Sequence, residues 1–139
     1  MNLSKDMSKL FIDELNFVLQ NMKATDKSME KMYFFSGIFA VANRIFNIEF
    51  HPELVFIHNV VKAAHDEIQA NSTNPFQQGR LAFGIPEDIF DRLEATIEEM
   101  ITRISSDQDI CSSLQKISNL AYSTTGNGRY LKFKGMLTI

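Results

Sequence analysis

The stretch MYFFSGIFAVANRIF, residues 32–46, puts apolar side chains on nearly every face of a helix and carries no charge before Arg44. Its uncharged part, residues 32–43, is 12 residues long, well short of the roughly 20 that cross a bilayer. A helix that is apolar all round and too short for a membrane belongs at the centre of a bundle or in a seam between two copies. Ser36, Gly37 and Ala40 lie within about one turn of each other, with Tyr33 one turn before Gly37, so a neighbouring backbone can approach closely there. The segment must be covered, and that need points to a helical fold with this helix as its central packing element.

The flanking sequence supplies the covering helices. Residues 4–23 carry Met7, Leu10, Phe11, Leu15, Val18 and Met22 at steps of three and four, the spacing of one helix face. Ser4 is suited to cap this first helix. Thr25 or Asp26 can cap the second, predicted over 27–46, and Asn47 can end it in a left-handed conformation. His51 precedes a proline, so residues 48–51 are expected to be extended. Pro52 then starts a third helix running to about residue 70. Ile85-Pro86-Glu87-Asp88 opens a fourth, with proline at the first position and acids where the helix dipole favours them. Its apolar face is Ile89, Leu93, Ile97, Met100 and Ile104. SSDQD makes a short connection to a fifth helix, about 108–121, which buries Ile110, Leu114, Ile117 and Leu120, so the last two helices should be antiparallel neighbours.

Two segments break the helical period. Residues 71–84 are dense in turn formers, and RYLKFKGMLTI at the end alternates apolar and polar residues with the two-residue period of a strand. A lone strand cannot satisfy its backbone, so 128–133 is expected to pair with the similar 79–83, within one chain or between two. The expected fold is mainly α, a bundle of about five helices with a short C-terminal β-strand or hairpin element. It forms one domain over 1–139, with a basic strand-like tail at 128–139. A chain of 139 residues is long enough to bury roughly two-thirds of its unfolded surface. Twelve Phe and seven Met against no Trp make that core large and adaptable.

Charge narrows the partner classes. A net charge of -3 is too small to steer the chain to nucleic acid or membrane. Its distribution is polarised: residues 87–109 carry -6, and residues 110–139 carry +4 with no acid. One cysteine, Cys111, cannot form an intramolecular disulfide, and no apolar leader opens the sequence, so a cytoplasmic setting is expected. Beside Ile110, Cys111 reads as an inert buried thiol.

The histidines carry the most suggestive pattern. His51, His58 and His65 recur at intervals of seven in HPELVFIHNVVKAAHDE. Seven helical residues rise about 10.5 Å, too far for ligands of one ion at bond lengths of about 2 Å. Metal spacing on a helix is three or four, and no His-x-x-x-His or Glu-x-x-His occurs. No acid lies three or four residues from His58 or His65, whereas Lys62 lies four from one and three from the other. The apolar face of this helix centres on Ile57, Val61 and Ile68, which places the histidines on its border. Any chemistry at His58 or His65 therefore needs a group from another helix or another chain.

Other constellations are incomplete. Glu87, Asp91, Glu94 and Glu98 form one carboxylate column on the fourth helix, whose mutual repulsion calls for nearby cations. Arg129, Lys132 and Lys134 of the tail are the expected intramolecular source. Those bases, interleaved with Tyr130 and Phe133, also resemble a weak nucleic-acid surface. TTGNG lacks the spacing and the lysine of a phosphate loop, and Ser-x-x-Lys, at 28–31 and 113–116, lacks the companion motifs of the enzymes that use it.

No catalytic set is complete, and no cofactor or metal is expected. The reading that follows is a non-enzymatic interaction or scaffold module, homo-oligomeric and most simply a homodimer. It would use the surface around Tyr33, Ser36, Gly37 and Ala40, with Arg129, Lys132 and Lys134 as further contacts and a protein partner as an additional option. The alternative is a small-molecule-binding protein or enzyme with a site between the third and fourth helices. There His58, Lys62 or His65 would face Asp91 or Glu94. A third reading, nucleic-acid binding through the tail, is disfavoured by the acidic total.

Overall fold

The computed structural model describes residues 1–73 and 88–125. Five helices make up the described part: α1 (Lys5–Lys23), α2 (Ser28–Phe46), α3 (Pro52–Thr73), α4 (Ile89–Ser105) and α5 (Cys111–Tyr122). No strand occurs among the described residues. The expected β element at 128–139, its partner at 79–83 and the helix start at 85–87 all lie outside them.

The helices close a ring around the core. α1 packs on α2 and α4, α2 on α1 and α3, α3 on α2 and α5, and α4 meets α5. α2 makes the two most extensive of these contacts, with α3 and with α1, yet one of its faces remains exposed. Its buried stripe is Phe35, Ile38, Ala42 and Ile45, at helical spacing, while Met29, Tyr33 and Ala40 point outward and are exposed. The other helices were legible in outline. Phe11, Leu15, Val18 and Met22 of α1, Ile57, Val61 and Ile68 of α3, and Leu93, Ile97 and Met100 of α4 all face the interior with essentially no exposure. Each such side chain is worth about 1.5–3 kcal/mol when removed from water.

Helix ends follow local chemistry, with several departures from expectation. Ser4 caps α1 as its sequence suggests, its hydroxyl accepting from the Met7 amide. Lys27, and neither Thr25 nor Asp26, occupies the cap of α2. Thr25 instead accepts from the Lys27 amide and donates to Glu30, a turn placed one step earlier. Asn47 ends α2 right-handed, at φ -74 and ψ -19. The Ile48 and Glu49 amides both bond back to the Ile45 carbonyl, so the chain turns there where extension was expected. Asp107, at φ 52, takes the left-handed conformation in the α4–α5 connection, where an aspartate is among the residues that tolerate it.

Gly37 has a specific job. A Cβ at this position would sit 3.0 Å from Val18 Cγ2, so the missing side chain lets α1 and α2 approach. The closeness that its sequence neighbourhood suggests is spent within the chain.

Candidate functional site

Two groups of polar residues stood out in the sequence, and the ring topology separates them. His58 and His65 lie on the α2 side of α3, half-buried against phenylalanines. The His65 ring stacks on Phe35 at 6.3 Å and meets the Phe39 edge at 5.4 Å, while His58 packs edge-on against Phe39 and Phe46. Lys62 reaches over the Phe39 ring at 5.7 Å and pairs with Asp66 at 2.8 Å. His65 Nδ1 lies 3.1 Å from Asp66 Oδ1. That carboxylate went unnoticed in the sequence because it is adjacent to the histidine, not one turn away. The Lys62 hydrogen bond first, then the one to His65, pulls the Asp66 carboxyl below its ordinary range.

Asp91 and Glu94 sit on α4 in different company. Glu94 is buried and pairs with Lys31 of α2 at 3.2 Å. Lys31 also donates to the Met22 carbonyl at 2.6 Å, near the α1 C-terminus. Lys23 pairs with Glu98 at 3.6 Å. These groups, with Asp91, line an open cleft of about 390 Å³. The cations for the carboxylate column therefore come from the α1–α2 region. Arg129, Lys132 and Lys134, the source expected from the sequence, lie outside the described residues, as does Glu87. Among the described residues, no hydrogen bond, ion pair or cleft joins His58, Lys62 or His65 to Asp91 or Glu94.

Lys31 carried a signal in the sequence that was overlooked. It lies four residues before Phe35 and seven before Ile38, on the stripe that faces inward. A lysine there needs a buried acceptor, and Glu94 on the inward side of α4 is the matching acid.

Two further arrangements complete the polar inventory. Glu99 of α4 is held by Arg103 at 3.0 Å and by Lys116 of α5 at 2.8 Å, chiefly the Lys116 bond lowering its carboxyl. Cys111 is exposed, correcting the expectation of a buried thiol, because it is the first residue of α5 and lies past Ile110, which takes the inward position. A helix N-terminus ordinarily favours a thiolate. Here the hydrogen bond to Asp109, and then the charge of that carboxylate, push the Cys111 thiol up. The exposed thiol should react with Ellman's reagent only with a pH midpoint above that of an ordinary cysteine. Asp109→Asn should move that midpoint down, and an unchanged midpoint would show that Asp109 does not control the thiol.

Among the described residues, no group of three or more histidine, cysteine, aspartate and glutamate side chains is placed to hold a metal ion. No described helix is long and apolar enough to cross a membrane.

What remains conspicuous is apolar surface. Tyr33 is 73% and Met29 69% exposed, and Phe17 of α1, 53% exposed, meets Phe34 edge-on at 6.2 Å. Phe34 in turn meets Tyr33 at 5.4 Å. Tyr33, Phe34 and Phe17 thus form one aromatic patch across α1 and α2, with Ala40 exposed two turns further along α2. Ser36 and Gly37 between them are half-buried, Ser36 donating to the Tyr33 carbonyl.

The class this defines is a mainly helical domain with an aromatic patch on its surface. No protein-family model, curated protein or solved structure matches the chain.

Proposed function

We propose that this protein is a non-enzymatic interaction module that pairs with a second copy of itself through the outer face of α2. The observation that carries the reading is the exposure of Tyr33 and Met29 beside Phe17. Tyrosine, methionine and phenylalanine are residue types enriched at interface centres.

A symmetric contact must be self-complementary. Two α2 helices crossing antiparallel by their Tyr33 and Ala40 face, at the axial level of Gly37, place Glu30 of one at the height of Arg44 of the other, since both lie seven residues from that level, and both are exposed. Tyr33 then meets the partner's surface near Ala40, a small residue that leaves room for a ring.

Sedimentation velocity tests this directly. The wild type should sediment as a dimer at high micromolar concentration, and Tyr33→Asp should weaken the pair by at least roughly 30-fold, the effect of one interface hot spot. Circular dichroism should be unchanged, because Tyr33 contributes little to the core. A wild-type monomer at high micromolar concentration would refute the reading.

A further inference from the structure

A second surface lies away from α2. α3 and α5 flank an open groove of about 650 Å³, with Ala63, Ala64 and Ala121 among the small residues along it and Phe56 and Tyr122 among the large ones. Phe56 is 55% and Tyr122 40% exposed. Glu67 also lines it, and among the described residues the hydrogen-bond partner of Glu67 is the neutral Asn71, with no lysine or arginine in ion-pair range. The groove is therefore apolar with one anionic end.

The chain itself arrives at that end. Thr125 lines the groove, and Thr124 beside it accepts from Asn71 at 2.9 Å, which fixes the end of α5 near the end of α3. Fourteen residues, 126–139, follow Thr125 in the sequence. They begin Gly-Asn-Gly, which favours a reversal of direction, and continue Arg129, Tyr130, Leu131, Lys132, Phe133, Lys134, with bases and no acid.

We propose that residues 129–134 fold back along the α3–α5 groove of their own chain. Arg129 would lie against Glu67, and Leu131 and Phe133 over the alanine floor. Lengths agree: Phe56 to Glu67 spans about 17 Å of helix, and six extended residues span about 20 Å. Alternation places Leu131 and Phe133 inward and Lys132 and Lys134 outward.

Charge and apolar lining together select this groove over its rivals. In the cleft between α4 and α5 the lining carboxylate, Glu99, is already held by Arg103 and Lys116, so it does not call for a further base. In the cleft that holds Asp91, the carboxylates Glu94 and Glu98 already have Lys31 and Lys23, and apart from Ala95 the lining is charged, with no apolar floor for Leu131 and Phe133. The surface involved is separate from the α2 face, so this proposal stands or falls independently of the dimer.

Paramagnetic relaxation in the full chain tests it. A nitroxide placed at Lys134→Cys, in a Cys111→Ser background, should broaden the backbone amide signals of Phe56, Val60 and their neighbours on α3. Arg129→Glu should abolish that broadening, and adding Glu67→Arg should restore it, an exchange that a merely structural role for either residue would not produce. Broadening centred on Asp91 and Glu98, or confined to residues 79–83, or absent, would overturn the proposal. So would broadening that passes from a labelled chain to an unlabelled one in a mixed sample, because the occupant would then be a second copy.

Discussion

Lys31→Met is expected to lower stability by about 3 kcal/mol in equilibrium denaturation, the lower end of what breaking a buried ion pair costs. The loss has two parts. Glu94, with 8% of its side chain exposed, is left without its cation, and the Met22 carbonyl at the end of α1 loses its ammonium donor. The lower end of the range applies because the Lys31 side chain keeps 13% exposure and the pair borders a cleft that water can enter. Adding Glu94→Leu should recover most of the loss, since a buried pair replaced by apolar groups of similar size is often close to neutral. If the double variant is no more stable than Lys31→Met, the stranded carboxylate is not the source of the cost. The outcome bears on the fold as a whole, because this contact joins α1, α2 and α4 at one point.

Phe35→Ala should cost about 3–5 kcal/mol, from lost burial and from the cavity left behind. Phe35 is fully buried on α2 and lies beneath the His65 ring of α3. Domains of this size are stable by about 5–15 kcal/mol, so the variant should unfold at a much lower denaturant midpoint. Tyr33→Ala, two residues away on the same helix, is the control. Being 73% exposed, it should change monomer stability by less than about 0.5 kcal/mol. Equal losses at the two positions would mean that the outer face of α2 is covered within the chain, and the dimer reading would lose its basis.

The contrast between these neighbours shows where sequence reasoning stopped. Phe35 and Tyr33 sit in one unbroken apolar run, and hydrophobicity alone does not say which is inside. On α1, α3 and α4, polar residues alternate with apolar ones, so the inward face could be read from spacing. On α2 nearly every position is apolar, so periodicity carries little information about which face is inside. Among the described residues, α1 and α3 pack on α2 and its Met29 and Tyr33 face stays exposed.

The candidate sites follow the same logic. Spacing set the three histidines apart along the axis of α3, because such separation is a property of the helix itself. Spacing also placed His58 and His65 at the border of the apolar face, where they pack against Phe39. Which acid each histidine or lysine meets was beyond its reach. Lys31 finds Glu94 sixty-three positions away, and Glu99 finds Lys116 across the α4–α5 contact.

By itself, the sequence of this protein determined the number of described helices, most of their boundaries and the inward faces of those with mixed composition. These depend on local periodicity, caps and breakers, which act over a few residues. Only the tertiary structure decided that the helices close into a ring, that Gly37 serves the α1–α2 approach, and that Lys31 is the partner of Glu94. Each of these depends on distances between segments remote in sequence, set by how whole helix faces pack against each other.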